Sequence, residues 1–152
     1  MVKVSKDKFP SKKIIVSDAE SMPFNDLFFN NALAFHLFMH LDINQHERIL
    51  NEVARVIKKD GCFIFDVPSK KRRKFTNYKA SSWHGGNQIN VSELKTIISN
   101  NWELVAYHGI AFFPIHRIPK RFRKFFIKLD NFFSNSFVRE YSSHLIFILR
   151  KK

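Results

Sequence analysis

The sequence predicts an α/β fold with a mostly parallel sheet. Strand-length apolar runs alternate with stretches of helical periodicity, two of which open on an Asn-x-x-Glu capping pattern. Of the 152 residues, 45% are hydrophobic, which is enough apolar surface for the core of one modest domain spanning 1–152. Only 4 glycines and 5 prolines are present and no segment repeats at a fixed period, which excludes collagen-like, linker-rich and solenoid architectures.

The elements follow in chain order. Lys13 to Ser17 is a β-branched run ending at Asp18, and Asn31 to His36 is a second apolar run; both read as buried parallel strands. Met22-Pro23-Phe24-Asn25-Asp26 turns the chain between them. From Asn44 the period changes: Ile49, Leu50, Val53, Ala54 and Ile57 share a helix face, with Asn44 as cap and Glu47 reaching back to it. Lys58-Lys59-Asp60-Gly61 ends that helix, with Gly61 as the left-handed residue. Cys62 to Val67 is a strand stopped by Pro68, and Ser69 to Gln88 reads as a polar loop carrying Lys70 to Lys74, Trp83 and Gly85-Gly86.

Asn90 and Glu93 open a short helix with Val91, Leu94, Ile97 and Ile98 on its apolar side. Trp102 to Phe113 is strand-like. A basic amphipathic helix occupies about 117–134, with Phe122, Phe125, Phe126, Phe132 and Phe133 in its apolar stripe and Lys120, Arg121, Arg123, Lys124 and Lys128 facing away. Ser143 to Leu149 is the last strand.

Composition narrows the setting. The single Cys62 forms no internal disulfide and builds no cysteine zinc site, so a cytoplasmic protein is expected. No apolar run is long enough for a membrane span. A formal net charge of +13 favours anionic partners.

Two segments, in this order, carry a family resemblance: Ser17-Asp18-Ala19-Glu20-Ser21-Met22-Pro23-Phe24, and Leu50 to Val67 with its Glu52-Val53-Ala54-Arg55-Val56-Ile57-Lys58-Lys59-Asp60-Gly61 core. Together they resemble the type 11 family of class I S-adenosylmethionine-dependent methyltransferases, without gaps from Asp18 through Leu41. Phe29-Asn30 stands where that family has Phe-Asp, and Lys59-Asp60-Gly61 where it has Pro-Gly-Gly. The resemblance implies a partial Rossmann-like methyltransferase sheet, holding strands three to seven of the family with the first two absent. Residues Met1 to Pro10 read as the end of the helix before the third strand. The fourth, fifth, seventh and sixth strands would then lie side by side, with the third displaced or paired directly with the fourth.

The resemblance also implies S-adenosylmethionine as cofactor. Asp18 and the backbone of Ala19 would face adenine, and Phe35, His36 and Leu37 would lie beside the methionine portion. A carboxylate at the C-terminal end of a parallel strand points into the crevice where open α/β sheets bind ligands, which suits Asp18; its alternative role is to cap the turn toward Pro23. The family's Gly-rich turn has no counterpart, since no G-x-G occurs in the sequence. The expected activity is methyl transfer to a small molecule, lipid or glycan, with the isolated chain short of cofactor contacts. An N-terminal complementing chain would be a partner.

His36 and His40 would suit a metal only on a helix with a third ligand, so no metal is assigned; either imidazole could take a proton from a substrate. The basic runs read first as solvated faces, and the Phe stripe of 117–134 as core or as a lid over the substrate pocket. Phe75, Tyr78 and Trp83 among cations could instead stack on nucleic-acid bases, and Phe122, Phe125 and Phe126 could seat the helix on an anionic membrane surface. A non-enzymatic basic binding module is the competing class.

Overall fold

The computed structural model describes residues 2–78, 87–98 and 100–152. The elements are α1 (Val2–Lys8), β1 (Phe29–Ala34), α2 (Ile43–Val56), β2 (Ile57–Pro68), α3 (Lys70–Phe75), α4 (Val91–Ile98), β3 (Trp102–Ile110), α5 (Lys120–Asn135) and β4 (His144–Lys151). Four strands form one sheet in the order β1-β2-β4-β3. The β1–β2 pair is parallel, whereas β4 runs antiparallel to both β2 and β3. The result is an α/β sheet with a parallel edge, and its four strands stand in the order implied for the family's fourth, fifth, seventh and sixth.

One face of this sheet carries the core. Phe63, Phe65 and Val67 on β2 and Leu145, Phe147 and Leu149 on β4 are buried, because period-two alternation sends them all to the side covered by α2 and α4. Ile49, Leu50 and Val53 of α2 and Leu94 and Ile98 of α4 fill that layer. The Trp102 indole donates to the Leu50 carbonyl at 3.1 Å and fastens α2 to β3. The other face is partly open: Leu33 on β1 and Val105 on β3 are exposed.

Lys13 to Ser17 is not a strand. Ile15 and Val16 are exposed, and the nearest pairing is an isolated bridge between Asp18 and Ser21. β-branched residues make a strand only where a neighbouring strand takes up their hydrogen bonds, and none of the described strands lies beside this run. The sheet therefore holds the counterparts of four strands rather than five.

Local corrections have equally physical causes. α2 is capped by Asp42 and Gln45 rather than Asn44 and Glu47: the Asp42 carboxylate accepts from the Gln45 amide and the Gln45 side chain accepts from the Asp42 amide, both at 2.9 Å. The helix ends at Val56, and the left-handed residue of the following turn is Asp60 (φ 63°), not Gly61. Gly61 is required for space, since a Cβ there would meet the Asn30 carbonyl oxygen at 2.3 Å. This turn bulges β2 against β1, and Asn31 bridges the gap by accepting from the Cys62 amide at 2.8 Å.

The polar stretch after Pro68 begins as helix α3, which Ser69 caps by accepting from the Arg72 amide. Trp83, Gly85 and Gly86 lie outside the described residues. The capping pair of α4 forms as read: the Glu93 amide donates to Asn90 Oδ1 at 2.8 Å, and the Asn90 amide to Glu93 Oε2 at 3.1 Å. Within α5, Phe133 packs on Phe112 and Phe126 on Phe113, while Phe122, Phe125 and Phe132 are exposed. The stripe is thus only half used as core. Among the described residues, no helix is long and apolar enough to cross a membrane.

Candidate functional site at the ends of β1 and β2

The C-terminal ends of the parallel pair converge on one carboxylate. From Cys62 to Phe65 β2 is apolar, and Asp66 follows, buried, with 6% of its surface exposed. One oxygen accepts the backbone N–H of His36 at 2.7 Å, just beyond β1. The other faces Nδ1 of His144, at the start of β4, at 3.2 Å. A buried carboxylate needs such donors to offset its lost hydration.

His36 itself has φ 57°, a left-handed conformation that a residue with a Cβ adopts at a cost. The hydrogen bond from its amide to Asp66 holds the chain in that turn. Its ring lies against His144, with centroids 6.1 Å apart and planes at 75°. Burial lowers the His144 pKa, with Asp66 opposing and His36 and Arg73 assisting, so the ring favours its neutral form. Donation of Nδ1–H to Asp66 leaves Nε2 with a lone pair.

Beside this turn is an apolar cavity of about 360 Å³ between the Met22 loop, β1 and α2. Ala19 and Leu37 both line it, together with Met22, Ala34 and Val53. Asp18, Phe35 and His36 do not. The Asp18 carboxylate accepts from the Glu20 amide at 2.9 Å and so caps its own turn, and Phe35 is exposed.

The Glu-x-x-Arg pair on α2 explains how the Met22 loop is held. Arg55 donates to the Phe24 carbonyl at 2.8 Å, the Met22 carbonyl at 3.0 Å and the Asp26 carboxylate at 2.7 Å. Glu52 takes two hydrogen bonds from Arg55 and one from the Met22 amide at 2.7 Å. The Arg55 guanidinium holds the Glu52 carboxyl below its ordinary pKa, and Glu52 and Asp26 raise that of Arg55. Arginine suits this position because its fork of donors serves carboxylate and carbonyl acceptors together.

His144 lines a second, more polar cavity of about 540 Å³. Arg72 and Arg73 of α3, Tyr78, Arg117 and His144 itself contribute to its wall. His40 belongs to a short 3-10 turn over Phe38–His40. Among the described residues, no group of three or more His, Cys, Asp or Glu side chains could hold a metal ion.

Asp66 and His144 were not singled out from the sequence. The sequence marks Asp66 as a lone carboxylate near the end of the apolar run Cys62 to Val67, much as Asp18 stands at the end of Lys13 to Ser17.

Residues 1–65 match the type 11 methyltransferase family, described as a methyltransferase domain. An uncharacterized protein of Methanocaldococcus jannaschii is 42% identical over 67 residues, which cover 44% of this chain and 26% of that one. The chain therefore spans about a quarter of the length of the curated relative it matches. The fold is similar to an S-adenosylmethionine-dependent methyltransferase of Thermotoga maritima, with TM-score 0.69 and 16% identity over 100% of this chain and 69% of that one. A Methanosarcina mazei protein of the same description gives TM-score 0.62 and 14% identity over 99% and 76%. A Pyrococcus horikoshii protein gives TM-score 0.66 and 12% identity over 99% and 66%. At these identities the structural likeness is one of fold.

Proposed function

We propose that the chain, whose residues 1–65 match the type 11 methyltransferase family, serves S-adenosylmethionine-dependent methyl transfer at the C-terminal ends of β1 and β2. The observation that carries this reading is the left-handed His36 turn clamped by buried Asp66, with the apolar cavity on one side and His144 on the other. Ligands of open α/β sheets bind outside the carboxyl ends of the strands.

The residues present fit one side of the cofactor. Ala19 and Leu37, expected from the resemblance to flank its adenine and methionine ends, line the same cavity. Met22, fixed by Glu52 and Arg55, closes that wall. When bound, S-adenosylmethionine supplies an electrophilic methyl group for in-line displacement. Neutral His144 is positioned to take the proton released by an oxygen or nitrogen nucleophile at Nε2, with Asp66 stabilising the resulting imidazolium. His36 and His40 are not needed for that step.

The chain's own residues hold no G-x-G turn. In this reading the turn comes from residues outside this sequence, in the same or a complementing polypeptide, and the 152 residues alone hold the cofactor weakly. Ultraviolet crosslinking of methyl-labelled S-adenosylmethionine, followed by peptide mapping, tests the proposal. Label is expected in peptides spanning 17–41 and should be displaced by S-adenosylhomocysteine. Label confined to other peptides, or indifferent to that competitor, would refute it.

A further inference from the structure

Four of the five cations of α3 fall into two pairs. Lys70 pairs with Glu93, and Lys71 with Glu140 at 3.0 Å, so both cations are met by carboxylates. Arg72 and Arg73 both line the second cavity, where Arg117 joins them from the segment leading into α5. Three arginines from two separate segments thus line one cavity, and no carboxylate is among the described residues that line it.

Their geometry suits oxyanion recognition. The Arg73 guanidinium stacks 5.2 Å from the Tyr78 ring centroid, and Arg72 is anchored by donation to the Tyr141 carbonyl at 3.2 Å, so each planar group is oriented. Burial lowers the Arg73 pKa, the mark of a cation that has lost water. An oxyanion entering the cavity would meet the donor pattern that guanidinium groups match best. His144 lines the same cavity, with its ring beside that of His36.

We propose that this cavity is the methyl-acceptor subsite and that the acceptor carries a phosphate-type oxyanion, held by Arg72, Arg73 and Arg117 with its nucleophile beside His144. This rests on the methyl-transfer reading for the word acceptor; the oxyanion subsite itself does not need it. A phosphate ester can reach the cavity free in solution or as a lipid headgroup. The second source draws support from α5, which begins three residues after Arg117: Phe125 and Phe132 are 63% and 67% exposed among Lys120, Arg121, Lys124 and Lys128.

The test uses the whole chain without S-adenosylmethionine, so its failure and failure of the cofactor reading are separable. Phenyl phosphate, with phenol as the uncharged control, is titrated while the His144 ring protons are followed by NMR. In parallel, cosedimentation is measured with phosphatidylcholine vesicles with and without phosphatidic acid. A saturable His144 shift with phenyl phosphate but not phenol, weakened roughly tenfold by Arg72→Gln or Arg117→Gln, supports a soluble ester. Cosedimentation that requires phosphatidic acid and falls in the same variants, without a phenyl phosphate response, supports a lipid headgroup. Binding of neither probe, or binding indifferent to both arginine substitutions, overturns the proposal. Should Arg72→Gln lose its fold along with the Tyr141 contact, Arg117→Gln and the phenol comparison still decide the outcome.

Discussion

Asp66 holds His36 in a left-handed turn through a 2.7 Å hydrogen bond from the His36 amide, while its second oxygen orients His144 at 3.2 Å. One carboxylate therefore sets the backbone at the end of β1 and a ring at the start of β4.

That dual role predicts coupling. Asp66→Ala should destabilise the chain by about 2 kcal/mol, because it strips the acceptor from a buried site. In a His36→Gly background the penalty should shrink by about 1 kcal/mol, since glycine adopts the turn without being held. Denaturant melts of the four proteins give the coupling directly; additive effects would show that Asp66 does not constrain His36.

The loop that walls the apolar cavity should depend on Arg55. Arg55→Ala should cost about 2 kcal/mol and speed hydrogen exchange at the Met22 amide, whose acceptor Glu52 loses its partner. Arg55→Lys should recover little, because a single ammonium cannot serve the Phe24 and Met22 carbonyls and two carboxylates at once. Exchange unchanged in Arg55→Ala would mean the loop is held by its own packing.

Stability should fall in two stages on acidification. His46 is buried, with Nε2 beside the Phe38 carbonyl at 2.8 Å, and burial lowers its pKa below the ordinary 6.5. A histidine whose folded pKa is depressed resists protonation only when folded, so its contribution is complete above the unfolded value and is lost as pH falls below it. His144 acts with the same sign. Glu52, held low by Arg55, adds a second loss beginning below its ordinary 4.5. Denaturation midpoints against pH should be flatter in the upper stage for His46→Gln, and flatter in the lower stage for Glu52→Gln.

The turn after α2 makes opposite predictions for adjacent residues. Asp60→Gly should stabilise by about 0.5 kcal/mol by relieving the left-handed conformation, whereas Gly61→Ala should cost about 2 kcal/mol through collision with the Asn30 carbonyl. Thermal melts distinguish them; the reverse order would make Gly61 the left-handed residue.

Much of the fold was legible because its cause is local. The periodicity of α2, α4 and α5 and the apolar runs of β1, β2 and β4 mark those elements directly, and Asn90 and Glu93 form the capping pair their spacing implies. Lys13 to Ser17 misleads because β propensity cannot supply a pairing partner. Asp42-x-x-Gln45 and Asn44-x-x-Glu47 overlap in sequence, and the extended backbone of Asp42 makes it the cap, which puts Asn44 inside the helix. Of the five candidate site residues, Ala19 and Leu37 share a cavity, whereas the Asp18 carboxylate serves its own turn. Asp66 and His144 meet only through the antiparallel pairing of β2 with β4, a contact between residues far apart in sequence.

The central claim is that the apolar cavity and the His36 turn form one wall of a cofactor site. It is tested most directly by the amide NMR spectrum of the chain titrated with S-adenosylmethionine to millimolar concentration, where weak binding is still visible. Saturating shifts at Ala19, Ala34, His36 and Leu37 are expected. A spectrum that does not respond, or responds only along α5, would contradict the claim.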